Sequence, residues 1–80
     1  MKIPVIKKLV ETQPLEQLRA AELAIINEQP LQIEIEGNDE GEQLTHAIAA
    51  IWILERMNDS NVDFKTALRE YTQKVRESIN

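Results

Sequence analysis

The chain has 80 residues, of which 42% are hydrophobic and 29% charged, with a formal net charge of −5 and no cysteine. This length and composition predict one globular domain over residues 1–80, and they exclude disulfides, thiolate catalysis and cysteine-based metal sites. The acidic balance argues against nucleic acid or an anionic membrane as partner, because phosphate binding normally needs a basic face. The N-terminal residues lack the apolar core of a signal peptide, so we expect a cytoplasmic location.

Residues 3–11 fit two structures. Their apolar residues have the spacing of one helical face, whereas their β-branched content favours a strand. We expect a helix here, with the strand as the alternative. A break at Thr12-Gln13-Pro14 then precedes a second helix, predicted over residues 15–28 and ended by Pro30. The residues expected on its inward face are Leu15, Leu18, Ala21 and Ile25, with Ile26 beside them.

Residues 31–36 alternate strictly between apolar and polar side chains. That pattern predicts a half-buried strand with Leu31, Ile33 and Ile35 facing inward. A strand needs a partner for its backbone groups. The partner is either the N-terminal segment or the same strand of a second copy, which would place Ile33 and Ile35 at a dimer interface.

The residues from Ala47 to Leu54 are apolar without a break and follow a group of acids, which predicts a central helix over residues 40–58. One apolar face of this helix would contain Leu44, Ala47, Ile48, Ile51 and Leu54. A second face, on the far side, would contain His46, Ala49, Ala50, Ile53 and Met57. Because a chain this small buries only about 60% of its unfolded surface, its other segments should not cover both faces. We therefore expect the second face to meet another copy in a homodimer.

Trp52 lies at the edge of the first face of the central helix. An amphipathic ring at such a border is expected to cap the core. The alternative is that it anchors a partner, since tryptophan is frequent among the residues that dominate binding interfaces.

A last helix is predicted to begin after Asp63, which can cap it. Its apolar stripe would contain Phe64, Ala67, Leu68, Tyr71, Val75 and Ile79. Lys65, Arg69 and Arg76 fall on one other face, which is expected to be solvated. The alternative for this basic face is a docking stripe for an acidic partner or for the acidic 34–42 segment of a neighbouring copy.

His46 is the one histidine, and Glu42 precedes it by one helical turn. A carboxylate and an imidazole at this spacing could form half of a divalent metal site. We favour the alternative, in which the acids near Glu42 stabilise a helix N-terminus and keep the loop soluble. The sequence has no nucleophile elbow and no glycine-rich phosphate loop, so we expect neither an enzyme nor a bound cofactor.

The segments IEIEG at 33–37, DEGEQLTH at 39–46 and DFKTALREYT at 63–72 resemble a family of small uncharacterised bacterial proteins. The similarity covers nearly the whole chain, and it implies a compact cytoplasmic protein of unknown function with no assigned catalytic residue. We therefore expect a mainly α (α+β) fold, with three to four helices around the central helix and one strand. The expected function is a homodimeric protein-interaction module, and the alternative is binding of a divalent metal or small ligand.

Overall fold

The computed structural model describes residues 1–79, with side chains through Glu77. It contains four helices, α1 (Ile3–Thr12), α2 (Leu15–Ile26), α3 (Glu40–Ser60) and α4 (Phe64–Ile79). The other three helices each pack against α3, which is the central helix that the sequence predicts. The expectation of a mainly helical protein is confirmed, and residues 3–11 form the expected helix and not the alternative strand.

Two aspartates fix where the longer helices begin. The Asp39 carboxylate accepts a hydrogen bond from the Glu42 backbone N–H at 2.8 Å, at the start of α3. The Asp63 carboxylate accepts one from the Thr66 backbone N–H at 2.8 Å, at the start of α4. Such caps satisfy backbone donors that have no partner inside the helix. Hydrogen bonds from the Thr66 side chain and from its backbone N–H lower the pKa of Asp63, because both favour the ionised carboxylate.

The strand predicted over residues 31–36 is wrong, since residues 1–79 contain only helices and irregular segments. The alternation behind that prediction does hold in the burial pattern, because the apolar residues of this segment are buried or half-buried and its polar residues, Gln32, Glu34 and Glu36, are exposed. The expected intramolecular strand partner is itself helical, so no backbone ladder forms. Side chains of α3 replace it: Gln43 Nε2 donates to the Ile35 carbonyl at 3.0 Å, and His46 Nδ1 lies 2.7 Å from the Glu36 carbonyl oxygen.

The second face of α3 is covered by its own chain. His46, Ala49, Ala50 and Ile53 have no exposed surface. This face therefore does not need a second copy to cover it. The N-terminal helix and the 31–37 segment supply more cover than the sequence suggested.

The other residues that were predicted to lie at a dimer interface also pack within the single chain. Ile35 is buried, and Ile33, Trp52 and Met57 are half-buried against the core of the single chain. On the first face of α3 the prediction for Ile48 is wrong. Ile48 was expected to face inward, and it is exposed. None of the helices within residues 1–79 has the length and apolarity that a bilayer crossing requires.

Candidate functional site

His46 is the one polar side chain that is fully buried among residues 1–77. Its Nδ1 lies 2.7 Å from the Glu36 carbonyl oxygen, and its Nε2 lies 2.9 Å from the Lys2 backbone nitrogen. A carbonyl can only accept and a backbone N–H can only donate. The ring is therefore neutral in this arrangement, with its proton on Nδ1 and the Nε2 lone pair accepting from Lys2. One side chain of α3 thus joins the start of α1 to the 31–37 segment.

Glu42, the other predicted metal ligand, is also engaged by neighbouring backbone. One carboxylate oxygen accepts a hydrogen bond from the Asn38 N–H at 2.8 Å, and the other lies 3.9 Å from the Met1 ammonium. Because His46 uses both ring nitrogens in the fold, it has no lone pair left for a metal. In the described part of the chain, no three histidine, aspartate or glutamate side chains are grouped as metal ligands. The Glu42–His46 cluster joins chain segments, and its imidazole has no lone pair left to coordinate a metal.

Gly37 allows the 31–37 segment to approach α3 closely. A Cβ atom built on Gly37 would lie 2.8 Å from both the Cγ and the backbone nitrogen of Gln43. Real Cβ atoms do not approach so closely, and one of the two obstructing atoms belongs to the helix backbone. The glycine therefore brings the segment within reach of the hydrogen bonds from Gln43 and His46.

A small cavity lies beside this cluster, between α1 and the 34–36 segment. Its volume is about 80 Å³. Its lining residues are Val5, Lys8, Leu9, Thr12, Glu34 and Glu36. Drug-sized ligands and cofactors usually occupy roughly 300–1,000 Å³. The cavity is therefore too small to accommodate such a molecule.

Large apolar side chains are exposed on the outside of α2 and α3. Leu23 is 59% exposed, Ile26 is 58% exposed and Ile48 is 39% exposed. We call these three residues the α2/α3 apolar surface. Single exposed apolar residues are ordinary, but a contiguous group of them marks an interaction site in many soluble proteins.

Helix geometry places the three side chains together. The Arg19 guanidinium of α2 pairs with the Glu55 carboxylate of α3, and Ile25 lines the same pocket as Gln43. The two helices are therefore antiparallel. Ile26 lies seven residues beyond Arg19, and Ile48 lies seven residues before Glu55. Seven residues span about 10.5 Å along a helix and complete nearly two turns. Ile26 is therefore on nearly the same side of α2 as Arg19, and Ile48 is on nearly the same side of α3 as Glu55. Ile26 and Ile48 therefore both lie toward the same end of the α2–α3 pair, and Leu23 lies between Ile26 and Arg19 along α2.

The side of α3 that meets α4 is closed by aromatic and ionic contacts. The rings of Trp52 and Tyr71 have centroids 5.6 Å apart at an angle of 51°. The Arg56 guanidinium donates two hydrogen bonds of 2.9 Å to the Glu70 carboxylate. This bidentate pair lowers the pKa of Glu70 and raises that of Arg56, because each charge favours the other. Trp52 is half-buried here, as expected of a residue that caps the core.

The basic face of α4 is solvated in this structure. Lys65, Arg69 and Arg76 are all exposed. Arg69 and Arg76 border an open depression together with Thr72, Gln73 and Glu77. Because Thr72, Gln73 and Glu77 lie beside the two arginines, this depression is shallow and is not strongly basic.

The α2/α3 apolar surface was not predicted from the sequence. Ile26 was expected beside the core and Ile48 in it, and Leu23 was given no role. A signal was available in α2, because Leu23 lies about 140° to 160° around the helix from Leu18 and Ile25 at 100° per residue. One helix cannot bury both of those directions against α3.

The comparisons with known proteins assign a family without assigning chemistry. No curated protein and no solved structure matches the chain. The model of a family described as "Family of unknown function (DUF6952)" matches residues 1–80. This agrees with the resemblance seen in the sequence, which implied a protein of unknown function. The chain therefore belongs to the DUF6952 family.

Proposed function

We propose that this protein is a small cytoplasmic protein-interaction module that docks its partner on the α2/α3 apolar surface. The observation that carries the proposal is the exposure of three large aliphatic side chains, Leu23, Ile26 and Ile48, on two neighbouring antiparallel helices. Burying large aliphatic side chains stabilises a complex by about 25 cal/mol for each Å² of apolar area removed from water. A partner could pack against the outer side of α2, over Leu23 and Ile26, and extend toward Ile48 of α3.

The rest of the chain supports a binding role. Both ring nitrogens of His46 are used in hydrogen bonds that hold the fold, and Glu42 accepts a hydrogen bond from the Asn38 backbone. The aromatic pair and the Arg56–Glu70 ion pair close the α4 side of α3. The α2/α3 apolar surface, by contrast, contains large side chains whose burial would contribute favourable free energy without disturbing these contacts.

Site-specific photo-crosslinking in living cells tests the proposal. A photoreactive amino acid replaces Leu23 in one variant and Gln17 in a second, matched variant. Gln17 is an exposed residue of the same helix on a different side, so it controls for expression and for random collision. We expect discrete crosslinked species from position 23 that are weak or missing from position 17. Equal crosslinking at both positions, or none at either, would contradict a docking role for this surface.

A further inference from the structure

We infer that the groove between α1 and residues 33–36 binds an extended basic peptide, which pairs with this segment as a β-strand. Residues 33–36 keep the side-chain alternation of a strand, because Ile35 is buried, Ile33 is half-buried and the two glutamates are exposed. Within residues 1–79 the segment has no neighbouring strand to pair with. The groove shares no residue with the α2/α3 apolar surface, so this second binding site goes beyond the proposed function.

The backbone of this segment has hydrogen-bonding groups that the described part of the chain leaves free. Side chains of α3 contact the carbonyl oxygens of Ile35 and Glu36. The N–H groups of residues 33–36 and the carbonyls of Ile33 and Glu34 form no hydrogen bond with any described residue. An added strand supplies both donors and acceptors to such groups. The segment therefore has a free edge on which an extended peptide can pair.

The cavity beside this segment has the size of a single side chain. Its apolar wall is formed by Val5 and Leu9 of α1, and the side chains of Glu34 and Glu36 line it from the segment. A water molecule needs about 10–15 Å³ of cavity volume, so the roughly 80 Å³ here accommodates about five to eight groups of that size. The four carbons and the ammonium of a lysine side chain match this space. In strand addition, such a pocket beside the paired backbone provides specificity for one peptide side chain.

The charges of the groove favour a basic peptide. Glu34 and Glu36 are exposed and form no ion pair within the described residues, whereas Lys8 is the one cation that lines the cavity. Lys8 is exposed, so its flexible side chain can turn into water. Opposite charges that face each other on paired strands attract, and like charges repel. A strand with lysines at alternate positions therefore complements the two glutamates, whereas the same segment of a second copy would repel them.

Titration calorimetry with two synthetic peptides tests whether the backbone of the segment pairs. The probe is a short peptide in which lysine and threonine alternate, and its control has the same sequence with methyl groups on its backbone nitrogens. Methylation removes the backbone donors and keeps every charge, so it separates strand pairing from attraction between charges alone. We expect the methylated peptide to have a Kd at least about tenfold higher, because several hydrogen bonds are lost. Equal affinities, or no binding of the unmethylated probe, would overturn the proposed site.

Two double variants of the protein test where the probe binds. Glu34→Gln combined with Glu36→Gln should raise the Kd of the probe by about tenfold, because the facing carboxylate charges are removed. Glu16→Gln combined with Glu77→Gln is the matched control, since it removes the same charge at exposed residues outside the groove. The control should stay within about twofold of wild type. Equal losses in the two double variants would show that the probe responds only to net charge, which overturns the site.

Amide hydrogen exchange shows whether the bound probe forms a strand. Near saturation, the probe should slow exchange by about tenfold or more at alternate N–H groups of residues 33–36, because these donate to peptide carbonyls. Unchanged exchange in this segment would overturn strand pairing even if the probe binds. Leu23→Gln should leave the affinity of the probe unchanged, because Leu23 lies outside the groove. The groove and the α2/α3 apolar surface can therefore fail or succeed separately.

Discussion

His46 and Ile48 lie two residues apart on α3 and have the opposite exposure from the one that their polarity predicts. The imidazole has no exposed surface, whereas the isoleucine is 39% exposed. His46 can be buried because both of its nitrogens are hydrogen-bonded to backbone groups that need a partner. Ile48 lies on the side of α3 that the rest of the chain leaves open. Whether a side chain of α3 is buried therefore depends on which segments pack over it and which backbone groups it can hydrogen-bond. Its hydropathy alone does not predict its burial.

The His46 side and the Ile48 side of α3 therefore have different roles. The His46 side joins α1, the 31–37 segment and α3, so substitutions there should affect the free energy of unfolding. The Ile48 side takes part in the α2/α3 apolar surface, so substitutions there should affect binding and leave folding nearly unchanged.

The largest effect is expected from His46→Ala. It leaves the Lys2 N–H and the Glu36 carbonyl without their partner and opens a cavity in the core. We expect the free energy of unfolding to fall by about 3 kcal/mol or more. Urea unfolding followed by circular dichroism measures it. A loss below about 1 kcal/mol would mean that the histidine contributes little to the His46 side of the fold.

A smaller loss is expected from Gly37→Ala, because its Cβ would meet the Gln43 backbone nitrogen at 2.8 Å. Moving the segment away costs about 1–3 kcal/mol, as in other overpacked sites. Gly41→Ala is the matched control. Its Cβ lies 3.3 Å from an Asp39 side-chain oxygen, and alanine favours the helix that begins there. The account fails at this point if the two alanine variants are equally stable.

The α4 side of α3 should show a pH dependence that comes from the Arg56–Glu70 pair. The hydrogen bonds from Arg56 lower the pKa of Glu70 in the folded chain. Its contribution to stability is therefore present above the unfolded pKa, about 4.3 for a glutamate, and is lost as the pH falls through the lower folded pKa. Glu70→Gln should unfold at a lower urea concentration than wild type at neutral pH, and this difference should shrink in acid.

Arg56→Gln provides the control for that experiment. It removes the other half of the pair, so it should reproduce the Glu70→Gln result, and the double variant should be little worse than either single one. Additive losses at neutral pH would show that the two side chains act independently.

The smallest effect on folding is expected on the α2/α3 apolar surface. Leu23→Gln keeps a good helix former at a residue that is 59% exposed. We expect the free energy of unfolding to change by no more than about 0.5 kcal/mol at a protein concentration where any partner is dissociated. Leu18→Gln, on the buried side of the same helix, should cost about 3 kcal/mol or more. Similar losses of stability in the two variants would contradict the assignment of Leu23 to the exposed side of α2 and of Leu18 to its buried side.

Much of the fold could be predicted from local patterns. The helices, the cap at Asp63 and the alternating burial of residues 31–36 all follow from spacing and residue type. The strand could not be excluded, because that required knowing that Gln43 and His46 would bind the backbone of residues 35 and 36. Such contacts join distant parts of the chain and leave no local periodicity.

The candidate docking surface was hidden for a related reason. α3 is apolar on nearly every side, so its sequence does not show which face the rest of the chain leaves open. The His46 side was expected to be uncovered because residues 3–11 and 31–37 were not expected to bury so much of α3. The open side could be recognised once the Arg19–Glu55 pair fixed the alignment of α2 on α3.

The most direct test of the account is the protonation state of the His46 ring, measured by ¹⁵N nuclear magnetic resonance on the folded protein at neutral pH. The account predicts a neutral imidazole with its proton on Nδ1, since Nε2 must accept from Lys2 and Nδ1 must donate to Glu36. A proton on Nε2, or a charged ring, would contradict the claim that this buried histidine holds the start of α1 and the 31–37 segment on α3.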